Sequence, residues 1–244
     1  MTKPSPEIET LAQERLAADE SAITGSRRTR LGLGQAWSEF WRHPSPWMMG
    51  TTILGAAVAR GFVHRFSWTE LIVPVLFVLL FPVIEWVVHV VVLHWKPVKV
   101  AGLRIDPLVS RKHREHHADP RDIPLVFIPW QVLVWLEVGT VLIGLFAFSD
   151  IAAGLTFMIG VSVVGFNYEW MHYLIHSDYT PRSKAYKAIW RNHRLHHYKN
   201  EHYWFTVTTT ATADRLFGTY PDAAGVKTSR TAKNLHGANS QPGL

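Results

Sequence analysis

Only Ser149 and Asp150 separate two long apolar runs, residues 125–148 and 151–175. Each exceeds the roughly 20 residues that a helix needs to cross a hydrocarbon layer. The pair therefore predicts a tight helical hairpin inside a membrane. Two further apolar runs, residues 47–62 and 71–93, precede them. The first is short and contains Arg60, a costly residue within lipid. The basic loops supply a separate argument for counting it. Lys96, Lys99, Arg104, Arg111, Lys112, Arg114 and Arg121 follow the second run, and Arg182, Lys184, Lys187, Arg191 and Arg194 follow the fourth. Arg27, Arg28 and Arg30 precede the first. Basic loops stay on the cytoplasmic side, and only an even number of spans keeps all three there. The expected architecture is an all-α, integral membrane, multi-pass bundle of about four transmembrane helices, with both termini cytoplasmic. Trp37, Trp41, Trp47, Trp68, Trp95 and Trp130 fall near span ends, where interfacial anchors belong.

Composition narrows the chemistry. The 244 residues include no cysteine, which excludes disulfides, thiolate metal sites, iron–sulfur clusters and thiol catalysis. Any metal must bind through nitrogen and oxygen. The net charge of +6 lies in loops beside apolar runs, where it meets lipid headgroups, and no nucleic-acid-binding motif accompanies it. Residues 1–26 are polar and acidic, without a signal-peptide pattern. The expected division is a polar tail and pre-membrane segment at 1–45, a membrane-embedded domain at 46–220 and a polar tail at 221–244. The stretches 2–25 and 225–244 read as tails without chemistry.

Ten of the fourteen histidines fall into four groups: His89 and His94; His113, His116 and His117; His172 and His176; His193, His196 and His197. Burying so many polar rings would be costly, at about 1–3 kcal/mol for each unsatisfied group. Metal coordination removes that cost. In each HxxHH group residues three and four apart share a helix face, so all three rings of one group are expected to approach one metal. His172 and His176 are four apart and reach one site from one face. His89 and His94 are five apart and diverge by about 140° on an ideal helix, so one of them is expected beyond the helix end near Pro97. The chain also repeats weakly: Glu85-Trp86 precedes the first two groups and Glu169-Trp170 the last two. Two similar halves predict two metal sites. Glu85 and Glu169, one turn before the first histidine of each half, are expected to accept the second ring N–H of a ligand. His43, His64 and His236 read as ordinary packed residues. Glu137, deep in the third run, either lines a polar cavity or hydrogen-bonds within the bundle.

Taken in order, these motifs resemble the fatty acid hydroxylase superfamily of fatty acid 2-hydroxylases, sterol desaturases and carotene hydroxylases. Residues 85–97 read EWVVHVVVLHWKP, 113–117 HREHH, 169–176 EWMHYLIH, 193–197 HRLHH, and 205–219 FTVTTTATADRLFGT. The resemblance covers about residues 80–220. It implies that the ten histidines hold two iron ions in a cytoplasmic helical cap; because zinc outcompetes ferrous iron on raw affinity, a purified sample could carry zinc instead. It also implies that Asp214, with Phe217 and Gly218, belongs to a segment closing the site, Asp214 supporting the ligands from outside. Ala213 stands where relatives often carry tryptophan. Residues 206–212 also have β propensity.

The implied reaction is O2-dependent hydroxylation of a lipid acyl chain, the 2-position included. Desaturation or oxidation of a sterol, carotenoid or other lipid is the alternative within the superfamily, and a non-catalytic membrane metal-binding or transport protein is the alternative outside it. Gly32-Leu33-Gly34 lacks the strand, third glycine and acidic partner of a dinucleotide site. Electrons must then come from an NAD(P)H-linked reductase through a ferredoxin or cytochrome b-type protein.

Overall fold

The computed structural model describes residues 31–236; the expected tail at 2–25, the arginines at 27, 28 and 30, and everything from 237 onward lie outside the described residues. Helix α1 is Leu33–Phe40 and α2 is Pro44–Gly61, opened by a proline whose missing N–H costs nothing in a first turn. A short 3-10 turn, Trp68–Leu71, leads into α3, Ile72–Val87, which runs on as a π-helical segment, Val88–Leu93. Then come β1, Val98–Val100, and β2, Leu103–Ile105, followed by α4, Leu108–Ala118, and α5, Ile123–Val126. The remaining helices are α6, Trp130–Phe146, α7, Ile151–His176, α8, Lys184–Tyr198, and α9, Thr212–Leu216.

Three of these stretches, Trp68–Leu93, Ile123–Phe146 and Ile151–His176, are long and apolar enough to cross a membrane. Their outward faces are bare hydrocarbon: Leu79 is 68% exposed, Trp135 75% and Phe146 78%. Water would penalise such a surface, whereas lipid does not. The fourth expected helix forms as α2 and packs along α7. Its Arg60 is accommodated by pairing: the guanidinium donates to Glu70 at 2.8 Å and to the carbonyls of Val63 and Arg65. Glu70 also accepts from Thr156 of α7 at 3.3 Å. This ionic knot lies at the opposite end of α7 from His172, about 24 Å away along sixteen helical residues.

The α6–α7 hairpin turns where the sequence places it. Asp150 caps α7 by accepting from Ala152 N at 2.9 Å, and it pairs with Arg65. Close approach of the two helices depends on glycine. A Cβ on Gly154 would lie 1.8 Å from the carbonyl oxygen of Gly144, and one on Gly160 would lie 2.5 Å from Pro74 of α3. Such small-residue contacts substitute for a hydrophobic driving force inside lipid. Glu137 hydrogen-bonds within the bundle, accepting from Ser162 of α7 at 3.5 Å.

Two features differ from the sequence expectation. An antiparallel hairpin, β1–β2, turns at Ala101 and Gly102, both with positive φ as a tight two-residue turn requires. Residues 206–212 form no strand despite their β propensity; carboxylates claim the backbone N–H groups that a sheet would have used. At the start of the described chain, α1 packs Ala36 and Phe40, both 0% exposed, against Phe127, Tyr173 and Leu174 near the histidine-bearing end of α7.

Candidate metal centre

All ten histidines converge at the adjoining ends of α3 and α7, under a cap formed by α4, α8 and the chain after α8. Eight are buried, while His94 and His176 are half-buried. They form two groups of five, and within each group the candidate ligand nitrogens lie within 4.8 Å of one another. One group is His89, His94, His113, His117 and His196; the other is His116, His172, His176, His193 and His197. The groups touch, with the rings of His117 and His197 centred 4.2 Å apart.

The partition corrects the expectation that each HxxHH group serves one metal. The last two histidines of such a motif, three and four residues after the first, are adjacent, and adjacent side chains on an α-helix point about 100° apart. His113 and His117, four apart, therefore face one group while His116 faces the other. His193 and His197 likewise stay together while His196 crosses over. Each half of the repeat lends its middle histidine to the other half, so neither group is complete within one half.

The predicted divergence of His89 and His94 is also corrected. The Val88–Leu93 segment widens into a π-helix, so the N–H of His94 donates to the carbonyl of His89 at 3.0 Å. A turn closed five residues back returns the chain to nearly the same face, and the two rings sit 5.0 Å apart. His94 lies just past the helix end, as expected.

The ring nitrogens suit a metal better than they suit one another. His117 Nδ1 donates to the Ala232 carbonyl at 2.9 Å, and His196 Nδ1 donates to the Tyr203 carbonyl at 2.8 Å. With neutral rings, both Nε2 atoms then carry lone pairs, yet they face each other at 3.2 Å. Two lone pairs cannot hydrogen-bond. Nitrogens bound to one ion at about 2.0–2.1 Å would be separated by about 2.9–3.4 Å. In the second group His193 Nε2 lies 3.1 Å from His172 Nε2, 3.0 Å from His176 Nε2 and 3.0 Å from His197 Nε2. The Nε2 atoms of His89, His94, His113 and His116 are buried without any protein partner. Burial and mutual repulsion hold His94, His113, His116, His193, His196 and His197 well below the ordinary histidine value. Burial lowers His117 to about 3. The rings are thus neutral at physiological pH, the form that binds metals. Ten imidazoles without thiolate suit iron, zinc, copper or nickel.

Glu85, Glu169 and Asp214 all lie close by, but none bonds a histidine, which corrects the expected contact for Glu85 and Glu169. Each carboxylate instead ties down a loop. Glu85 accepts from Val207 N at 2.6 Å, Thr208 N at 3.2 Å and Thr208 Oγ1 at 2.5 Å. Asp214 accepts from Phe205 N, Thr206 N, Thr206 Oγ1 and Thr219 Oγ1 at 2.6–3.0 Å. Glu169 accepts from Ile128 N at 2.8 Å and Ser45 Oγ at 3.3 Å. Those loops then present their own carbonyls to the ligands. His89 Nδ1 donates to the Phe205 carbonyl at 2.6 Å, and the rings of His172 and His176 hydrogen-bond the backbone at Val126 and Pro120. The carboxylates therefore act on the ligands through one intervening stretch of backbone. No residue type announces a carbonyl partner, so Tyr203, Phe205, Val126, Pro120 and Ala232 carried no signal in sequence.

His43 precedes α2 and stacks on Phe127 with ring centres 4.2 Å apart. His236, read as an ordinary residue, places its Nε2 2.8 Å from the His94 carbonyl. Phe217 stacks on Trp86 at 4.3 Å, and Trp86 Nε1 donates to Thr219 Oγ1, so the closing segment lies along α3.

A family profile described as Fatty acid hydroxylase matches residues 74–219, more than half of the chain and every one of the ten histidines. No curated protein and no solved structure matches. The matched span, the histidine cluster and the long apolar helices agree in what they imply. The chain belongs to the fatty acid hydroxylase family.

Proposed function

We propose that this protein is a multi-pass membrane di-iron monooxygenase that hydroxylates a lipid acyl chain, the 2-position being the first to test. The observation that carries this reading is the interlocked pair of five-histidine groups at the end of apolar helices. Two iron ions held there would supply O2 activation and attack on an unactivated C–H bond, chemistry that redox-inert zinc lacks. The balanced reaction converts R–H, O2, two electrons and two protons into R–OH and water. The electrons come from a separate ferredoxin or cytochrome b-type protein and its reductase. The metal site and both termini face the cytoplasm, where such donors work.

The chain's own part is to bind, orient and exclude. Carbonyls of Phe205, Tyr203 and Ala232 fix the ring orientation of His89, His196 and His117. Burial of the cap keeps water from the reacting centre. The apolar helices admit an acyl chain from the bilayer and set which carbon reaches the site, which fixes regioselectivity by geometry.

The test is mass spectrometry of total lipid from cells expressing the protein or its His196→Ala variant under 18O2 with a suitable reductase. A lipid carrying one 18O atom, absent from the variant, is the expected result. Loss of two hydrogens without label would replace the reading by a desaturase, and unchanged lipid in a metal-loaded, reducible sample would replace it by a binding protein.

A further inference from the structure

The family match ends at residue 219, yet the chain continues over the metal centre. Residues 226–236 run back across the cap, with Ala232 and Leu235 1% and 2% exposed. Two contacts from this stretch reach the first histidine group. The Ala232 carbonyl accepts from His117 Nδ1 at 2.9 Å, and His236 Nε2 meets the His94 carbonyl at 2.8 Å. A third set of contacts anchors the stretch to the last residue of α8 and the chain just after it. Ser229 N donates to the Lys199 carbonyl at 2.7 Å, Asn200 Nδ2 donates to the Lys227 carbonyl at 3.2 Å, and the Lys233 ammonium lies 4.4 Å from the Tyr198 ring centre. The Thr231 hydroxyl donates to the carboxylate of Glu201, which is only 2% exposed.

From this geometry we propose that residues 226–236 form a strap that positions the first histidine group, with Thr231 and Glu201 as its positioning residues. The proposal rests on the reading that both histidine groups bind metal. His117 coordinates through Nε2 only if Nδ1 keeps its proton, and the acceptor that keeps it there is the Ala232 carbonyl. A backbone carbonyl has no freedom of its own; its place is set by its neighbours. Thr231, the preceding residue, is held by a carboxylate otherwise sealed from water. Releasing that hydroxyl lets the carbonyl drift and frees His117 to change tautomer. Both histidines that the strap contacts, His117 and His94, belong to the first group. The strap thus acts on one of the two sites.

The experiment titrates 57Fe(II) into metal-stripped, detergent-solubilised full-length protein anaerobically, counting bound iron and recording Mössbauer spectra. Thr231→Val removes the hydroxyl and keeps the shape, Thr231→Ser restores the hydroxyl, and Thr228→Val is an exposed control in the same stretch. The unaltered chain, the serine variant and the control are expected to bind two irons. In Thr231→Val one iron is expected to bind about 10–100-fold more weakly, with a changed Mössbauer signature for that site alone. Both irons bound as tightly as in the unaltered chain, or both weakened equally, would overturn the strap. An unaltered chain that binds no iron would overturn the metal-centre reading itself. Should Thr231→Val not fold, Glu201→Gln, which keeps an acceptor oxygen for Thr231, must bind two irons normally while Glu201→Leu shows the one-site loss; any other pattern overturns the proposal.

Discussion

The N–H of His94 donates to the carbonyl of His89, five residues back, where the equivalent pair in the second half, His172 and His176, is four apart on an unbroken α-helix. The two halves thus reach the same ligand geometry by different helical pitch. Removing one residue from the wider turn should restore ordinary α-helix and leave the pair on one face. Deleting Val91 is therefore expected to preserve two bound metals, while inserting an alanine after Val91 should cost the metal of the first group. Metal counts on the two purified variants decide it; loss in both would mean that the π-turn itself is required.

The histidine boxes were legible in sequence because residue type and spacing announce them. The crossover of His116 and His196 was not, since the internal repeat suggests that each half keeps its own ligands. Only the three-dimensional meeting of α4 and α8 decides the partition. The π-turn was hidden because the valine-rich run from Val87 to Leu93 reads the same in α or π form. Glu85 and Glu169 stood out as acids one turn before each histidine pair, yet their partners are backbone N–H groups and hydroxyls that carry no sequence signature. The membrane helices were legible as apolar runs, and Arg60 read as an anomaly until Glu70 supplied its partner.

Glu169 offers a direct check on carboxylates that hold loops. Glu169→Gln keeps one acceptor oxygen for Ile128 N and is expected to change stability little. Glu169→Leu leaves that buried N–H unpaired, a loss of about 1–3 kcal/mol. It should also weaken metal binding by the second group through Val126, by about 10-fold or more. Thermal unfolding in detergent, paired with iron titration, measures both. Equal behaviour of the two variants would contradict the loop-holding role.

Gly154 tests the hairpin. A side chain there drives into the backbone of Gly144, so Gly154→Val is expected to destabilise the bundle by about 1–3 kcal/mol or more. Gly139, with open space around its Cβ position, is the matched site. Gly139→Ala should leave unfolding in detergent unchanged. Comparable unfolding for the two variants would rule out close helix approach at Gly144.

Acid should empty the centre. In the folded cap the histidines from His113 to His117 and from His193 to His197 lie below their unfolded value of 6.5, His117 at about 3. Below about pH 6.5 the unfolded chain therefore binds protons that the folded chain refuses, and stability falls as pH drops. Protons also compete with metal for the same nitrogens. Metal content and unfolding temperature are expected to be level from about pH 7 to 8.5 and to decline together below about pH 6. Dialysis at stepped pH followed by metal analysis is the measurement, and a centre that kept its metals at about pH 4 would contradict it.

The central claim is that two metals are held by interlocked halves, and His116→Ala tests it most directly. His116 belongs by sequence to the first half and by position to the second histidine group. Iron titration with Mössbauer spectroscopy should find two ions in the unaltered chain. In His116→Ala the ion shared with His172, His176, His193 and His197 should be weakened or lost, and the other retained. Loss of the ion at His89, His94, His113 and His117 instead, or no iron in the unaltered chain, would contradict the account.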